Sequence, residues 1–298
     1  MTQLISYNVT GQAEDVSSVI SSISPTATPF QSMIKSQKVH ARKFEWLEDS
    51  LRSATNTALI EGADSSTTAI GQPTSRDNVT QIIGESFNVS ATSDAIKTYG
   101  RAQQTAYGLA KTLKVLKLDL EVAMCGVSQA AVAGDASTAR KMASIDQMMT
   151  TSLDAGSGAT DPLSESKILE LGQTCYTNGS DVSVLMIKPS DSTIIAGFAS
   201  SSNSSANYNR DIGQSRTLTN AIDVLVTSFG SYRVVLNRNQ TSDQAYLIDP
   251  SMFKQAVLRP FTRTLLAKTG DADSHQVIGE FSVMHTNFGD SGRITGLS

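Results

Sequence analysis

Cysteine is nearly missing from this chain: Cys125 and Cys175 are the two thiols among 298 residues, too few for a disulfide framework. Histidine is almost as scarce, with His40, His275 and His285 far apart and neither cysteine beside another ligand, so no zinc site is indicated. Long apolar runs are missing as well. Lys111, Lys114 and Lys117 interrupt the best candidate, short of the ~18 residues a spanning helix requires. Met1 to Thr10 lacks a basic start followed by an apolar stretch, so no signal peptide is expected and synthesis in the cytosol follows. Without such a signal, the Asn-x-Ser/Thr triplets at Asn8, Asn78, Asn88 and Asn239 are by-products of composition. Charged residues make up 17%, against roughly 25% in an average globular chain, and the formal charge of −4 argues against a basic nucleic-acid reader. Ser, Thr, Asn and Gln fill the gap. They give a surface that is polar without dense charge, suited to extensive protein contact.

The catalytic patterns present do not survive their context. Gly289-Asp290-Ser291-Gly292 resembles the nucleophile loop of chymotrypsin-like proteases, in which backbone amides hold an oxyanion while a histidine removes the serine proton. His40 and Asp94 even stand in the right chain order. Position 293 is Arg instead of Gly, and the seven residues after Ser291 cannot complete a barrel and a specificity pocket. A polar turn between late strands is the expectation. Asp271-Ala272-Asp273-Ser274-His275 would need glycine sixth and a carboxylate twelfth to hold calcium, and Gln276 and Ser282 stand there. No glycine loop ends in Gly-Lys-Ser/Thr, and Glu61 and Asp64 sit in a polar stretch as solvated acids. No catalytic residue, cofactor or metal ligand is assigned.

Hydrophobic periodicity divides the chain more clearly. Val16, Val19, Ile20 and Ile23 form a stripe predicting a short helix over 13–23, which Pro25 and Pro29 end. Residues 39–52 read as an extended strand with Phe44 and Trp46 on one side and Glu45 and Leu47 on the other. Residues 79–91 alternate again through Val79, Ile83, Phe87, Val89 and Ala91, and the stretch between, with Gly62, Gly71 and Pro73, has little to make a core. Together they predict a two-stranded projection about 43 Å long, stable only against a partner surface. Residues 98–131 repeat Leu109, Leu113, Leu116, Leu120, Ala123 or Met124, and Val127, predicting a rod of about 45 Å that Gly134 ends. Beyond Pro162 the pattern mixes: a helix over 163–177, a strand at 182–187, a short helix to Phe198 and a Ser/Asn loop over 199–209. A β-hairpin at 221–236 and strands at 244–249, 252–259 and 275–286 follow.

Several strings in this order resemble a known family. They are Pro25-Thr26-Ala27-Thr28-Pro29-Phe30, Glu45-Trp46-Leu47-Glu48-Asp49-Ser50-Leu51, Glu61-Gly62-Ala63-Asp64 and Leu109-Ala110-Lys111. Ala133-Gly134-Asp135-Ala136-Ser137-Thr138-Ala139-Arg140 follows, then Phe229-Gly230 with Val234-Val235-Leu236-Asn237-Arg238, and Leu258-Arg259-Pro260-Phe261 with Leu266-Ala267-Lys268-Thr269-Gly270-Asp271-Ala272. Their order and spacing resemble the major capsid (major head) proteins of tailed bacteriophages with the Hong Kong 97 (HK97)-like fold.

That resemblance implies an α+β fold with an N-terminal arm over 1–38 and an extended β-hairpin loop over 39–95. A peripheral domain would hold the spine helix in 96–160 plus late strands at about 262–288, and an α/β axial domain would span 161–261, with 289–298 as a candidate addition. It implies a structural protein, not an enzyme, that forms hexamers and pentamers and closes an icosahedral shell around phage DNA. The implied partners are copies of itself, a portal, a scaffolding protein, a maturation protease or decoration protein, and packaged DNA held only weakly on the inner face; no membrane is involved. Shells of this kind are assembled in the host cytoplasm. Some relatives carry a scaffold-like region ahead of the arm, and its lack here suggests a separate scaffold or prior cleavage. Phe44, Trp46, Glu48, Asp49 and Arg76 are the candidate inter-subunit contacts, with packing inside their own chain as the alternative for Phe44 and Trp46. Two rival readings are an encapsulin-type compartment shell and a serine hydrolase using Ser291.

Overall fold

The computed structural model describes residues 26–52, 54–56, 58, 60–62, 64, 70–97, 103–156, 161–198, 223–268 and 270–297. The helix expected over 13–23 and the loop over 199–209 lie outside them. The described chain runs α1 (Pro29–Met33), β1 (Lys35–Lys38), β2 (Lys43–Glu48), β3 (Thr74–Val79), β4 (Gln81–Ser90), α2 (Ala91–Ala95), α3 (Gln104–Glu121) and a π-helical turn, Val122–Gly126. It continues through β5 (Thr151–Asp154), α4 (Glu165–Thr177), β6 (Val184–Ile187), α5 (Ser192–Phe198), β7 (Val224–Thr227) and β8 (Gly230–Leu236). The last strands are β9 (Ala245–Ile248), β10 (Phe253–Leu265), β11 (Ala272–His285) and β12 (Gly292–Thr295).

Three sheets result: β1-β10-β11-β4, β5-β12-β9-β6-β8-β7, and the pair β2-β3. In the six-stranded sheet β6 and β8 run parallel, as do β5 and β12, while β9 is antiparallel to both β6 and β12. Its central strands β6 and β9 are buried along their whole length, which suits their unbroken apolar sequences Val-Leu-Met-Ile and Ala-Tyr-Leu-Ile. Ile168, Leu171 and Cys175 fall on one face of α4, at helical spacing, and join Leu185, Ile187, Tyr232, Leu247 and Ile294 in one core. Glycines let helix and sheet approach. A Cβ on Gly172 would lie 2.5 Å from the Tyr232 hydroxyl, and one on Gly292 would lie 2.6 Å from Leu171 Cδ1 and 3.1 Å from Cys175 Sγ. Both cysteines are free and buried.

The chain divides into two compact units. One contains Gly84–Leu116 and Arg263–Val277; the other contains Ala27–Ile83, Lys117–Thr262 and Ile278–Ser298. In the first, Phe87 packs against Gly108 and against His275, whose Nδ1 accepts from Arg263 Nε at 3.3 Å. The assembly surface described below lies in the second.

The sequence-based elements need three corrections. The rod is shorter than the 98–131 expected: α3 has 18 residues, about 27 Å, and the helical backbone ends at Gly126, where a Cβ would meet the Asn239 carbonyl at 2.3 Å. Gly134 does adopt a left-handed φ of +70°, but in a tight turn between the bridged residues Val132 and Lys141. Within α3 the buried face is Thr112, Leu116 and Leu120, and Leu113 points outward. Lastly, the projecting strand 43–48 pairs with 74–79 instead of 79–91, in register from Lys43↔Val79 to Glu48↔Thr74. Residues 81–90 keep their alternation but join the four-stranded sheet beside β11. The regular part of the hairpin is therefore about 17 Å long, not 43 Å.

Gly292→Ala tests the helix–sheet contact. The added methyl must displace Leu171 or Cys175, so a loss of about 1–3 kcal/mol and a fall of several degrees in calorimetric Tm are expected.

Candidate assembly surface

The base of the β2–β3 hairpin is held largely by buried polar groups. Asn78, at the end of β3, is fully buried and uses both ends of its amide. Its Nδ2 donates to the Val283 carbonyl at 2.7 Å and the Ala143 carbonyl at 3.3 Å, and its Oδ1 accepts from the amides of Val79 at 2.7 Å and Ala143 at 2.9 Å. The next residues continue the clamp: Ser282 Oγ donates to the Val79 carbonyl at 2.8 Å, and Thr80 N to the Arg42 carbonyl at 2.7 Å. Thr80 Oγ1 donates to Glu280 at 2.7 Å, and that buried carboxylate also pairs with Arg140 and, at 3.1 Å, with Arg259. Buried polar groups satisfied this completely fix one strand register, because a one-residue slip would orphan all of them.

Aromatic rings carry the anchoring inward. Phe44 stacks on Trp46 at 5.7 Å, Trp46 tilts against Phe288 at 6.1 Å, and Phe288 stacks on His285 at 5.9 Å. His285 lies flat on Phe253 at 4.1 Å, and Phe253 meets the edge of Phe30 at 5.6 Å. The Arg76 guanidinium sits 4.6 Å over the Phe288 ring and donates to Glu48 Oε2 at 2.7 Å. His285 is fully buried and its Nδ1 lies 3.2 Å from the Met148 carbonyl, so the proton sits on Nδ1 and the bare Nε2 faces no partner among the described residues. Burial pulls its pKa down to about 4, against weaker opposition from the Met148 carbonyl, Glu48 and Asp249.

Below the stack, Glu121 at the end of α3 gathers three segments. Its buried carboxylate accepts from the amides of Phe30 at 2.8 Å and Gln31 at 3.0 Å, in the first turn of α1, and from Asn237 Nδ2 at 3.0 Å, just past β8. Gln31 Nε2 adds a bond to the Lys117 carbonyl at 2.7 Å. Burial pushes the Glu121 pKa up, and these donors partly offset that rise. A side chain thus caps α1 from 90 residues away in sequence.

The five sequence-predicted contact residues fall into two groups. Trp46 is 9% exposed and packed inside its own chain, Phe44 is half-buried above it, and Glu48 and Arg76 are partly buried partners on the hairpin face. Asp49 is exposed and accepts from the Ser50 amide at 2.9 Å. Asn78, Glu121, His285 and Phe288 were missed. A polar residue in a strand or at a helix end looks solvated in sequence, and Phe288 fell between the strand expected over 275–286 and the turn expected at 289–292. Also unforeseen is the apolar exposure at and beyond the far end of the hairpin: Leu47 is 70%, Leu51 98%, Ile60 82% and Ile70 90% exposed.

The hydrolase arrangement considered for Ser291 is not assembled among the described residues. Ser291 is fully buried and its Oγ accepts from the Asp249 amide at 3.4 Å, while His40 is exposed. Among the described residues no group of three His, Cys, Asp or Glu is placed to hold a metal ion.

Comparison with known proteins gives a consistent result. The model of the SU10 major capsid protein family matches residues 3–298. The major capsid protein of Escherichia phage Phieco32 is 26% identical over 334 aligned residues, spanning 96% of this chain and 94% of that one. Among solved structures, the capsid of the native GTA particle superposes with a TM-score of 0.65 at 10% identity, covering 98% of this chain and 97% of that one. A Microbacterium phage Oxtober96 chain gives 0.64 at 15% identity, covering 96% of each.

Two measurements check the anchoring. Glu121→Ala leaves three donors without their acceptor; faster hydrogen exchange at the Phe30 and Gln31 amides and a loss of about 1–3 kcal/mol are expected. His285 sets a pH dependence. Its pKa is 6.5 as a free side chain and about 4 in the fold, so the unfolded chain binds the extra proton first. Its contribution to stability is whole above pH 6.5 and is lost as pH falls toward about 4, by up to about 3 kcal/mol. Denaturant midpoints across that window should fall on acidification, and less so in His285→Phe.

Proposed function

Because this chain belongs to the SU10 major capsid protein family, it is a structural subunit of a phage icosahedral shell, and we propose that neighbouring copies within its pentamers and hexamers cover the β2–β3 hairpin. Its fold is HK97-like. Family membership also decides against the two rival readings, the compartment shell and the Ser291 hydrolase.

The observation that carries the proposal is the uncovered apolar far end of the hairpin, with Leu47, Leu51, Ile60 and Ile70 each at least 70% exposed. A two-stranded ribbon is marginal alone in water. Here the base is clamped and the far end offers apolar surface, worth ~25 cal/mol per Å² when a neighbour covers it. Phe44, Glu48, Asp49 and Arg76 line the route from base to far end and form the rim of that contact. Trp46 serves it from beneath, as the ring on which Phe44 rests.

In this reading residues 1–38 are the arm and 39–95 the extended loop. Residues 96–160 with strands near 262–288 are the peripheral domain, and 161–261 with 289–298 the axial domain, which gathers around the symmetry axis and supplies every strand of the six-stranded sheet except β5. Rings of this kind need heterologous contacts that close. The proposed partners are a portal, a scaffolding protein, and a maturation protease or decoration protein, with assembly in the host cytoplasm. The low charge density and net −4 suit a wall that holds packaged DNA only weakly.

Electron microscopy with sedimentation tests the reading. Rings of five or six 31.7 kDa chains, or closed shells, are expected, and Leu51→Ser with Ile70→Ser should reduce them without lowering Tm. A uniform monomer, also in the presence of the phage's own scaffold, would overturn it.

A further inference from the structure

The charges around the hairpin are sorted by position. Residues 35–43, which form β1 and lead into β2, hold Lys35, Lys38, Arg42 and Lys43 and no acid. Residues 45–77, the hairpin itself, hold Glu45, Glu48, Asp49, Glu61, Asp64 and Asp77 against Arg52 and Arg76, a net charge of −4. Internal pairing consumes part of each set: Lys43 meets Glu45 at 3.0 Å and Asp77 at 3.6 Å, and Arg76 meets Glu48. Among the ion pairs of the described residues, Lys35, Lys38 and Arg42 on one side and Asp49, Glu61 and Asp64 on the other take no part, and all six are exposed.

Two features single out the cationic side, which takes no part in the ion pairs of the described residues. β1 is an edge strand of its sheet and all four of its residues are exposed. It runs parallel to β10 with Lys35 directly opposite Lys254, and like charges facing each other across strands are destabilising unless something negative lies over them. The hairpin's own acids are poorly placed to do so. β2 carries the backbone about 17 Å from Lys43 to Glu48, and Asp49, Glu61 and Asp64 all lie in the connection beyond it, while Lys35 and Lys38 precede its base.

We propose that the acidic far end of one subunit's hairpin docks on the basic β1 edge of a second copy, with Asp49, Glu61 and Asp64 facing Lys35, Lys38 and Arg42. This rests on the shell reading above and names the surface that receives the hairpin. A ribbon basic at its root and acidic at its far end matches the tip of one copy to the root of another, and the ring closure that the shell reading requires makes that contact head-to-tail. Complementary charge also speeds encounter and rejects wrong registers, while the apolar residues beside it supply burial.

The test is assembly monitored by light scattering and sedimentation, for the full-length chain and two charge-reversed variants. One carries Lys35→Glu and Lys38→Glu; the other carries Asp49→Lys and Glu61→Lys. All four sites are exposed, and circular dichroism and Tm verify folding. Each variant alone should assemble at least about tenfold more slowly than the unaltered chain, an equimolar mixture should recover most of the loss, and raising salt from about 0.1 to about 0.5 M should slow the unaltered chain. Variants that assemble normally would overturn the docking while leaving the shell reading intact. An unaltered chain that never assembles, even with the phage's scaffold, would remove that reading and this one with it. If the lysine variant assembles at the normal rate but its shells retain less nucleic acid, the β1 edge serves a polyphosphate backbone instead, and the docking proposal fails.

Discussion

Everything the hairpin does depends on Asn78 and its neighbours being buried with every hydrogen bond made. A projecting ribbon has two problems: its strands can slip, and its root can swing. The Asn78 amide, bonded at both ends to residues 143 and 283, removes the first, because slippage would strand buried donors and acceptors at about 1–3 kcal/mol each. The Glu280 carboxylate with Arg140, Arg259 and Thr80 removes the second by tying the root to three separate segments. The aromatic sequence from Phe44 to Phe30 then connects the root to the core by packing, where position is set by shape.

A shell subunit must be rigid where it is held and incomplete where it binds. The six-stranded sheet meets the first demand, with β6 and β9 buried on both faces. The far end of the hairpin suits the second, with apolar side chains exposed and acids outside the ion pairs of the described residues. Each contact of this kind is weak in isolation. A closed shell makes many of them at once, so modest interfaces give a stable container while errors can still dissociate during growth.

The buried ionisable groups oppose one another. Burial raises the pKa of Glu121, Asp191 and Asp290, so the fold prefers their protonated forms and their cost appears as pH rises through the shifted values. His285 has the opposite sign, since burial favours its neutral form and acid removes its contribution. Acidification therefore relieves the carboxylates while it strains the aromatic stack.

The sequence by itself determined the class of the protein. Periodicity located α4, the strands at 184–187, 230–236 and 245–248 and the ribbon at 43–48, and the order of short motifs pointed to the capsid family. It succeeded there because side-chain period and turn residues are local properties. It failed where distant residues competed for the same backbone. Strand 79–91 had the right alternation, but Asn78 and Thr80 assign it to β11's sheet, and the helix expected to reach 131 stops where Gly126 meets Asn239. Glu121 and His285 looked like ordinary polar residues until the fold buried them, since desolvation depends on what packs around a group and not on its neighbours in the chain. Only the tertiary structure could decide which apolar residues, Leu51 and Ile70 among them, would be left exposed.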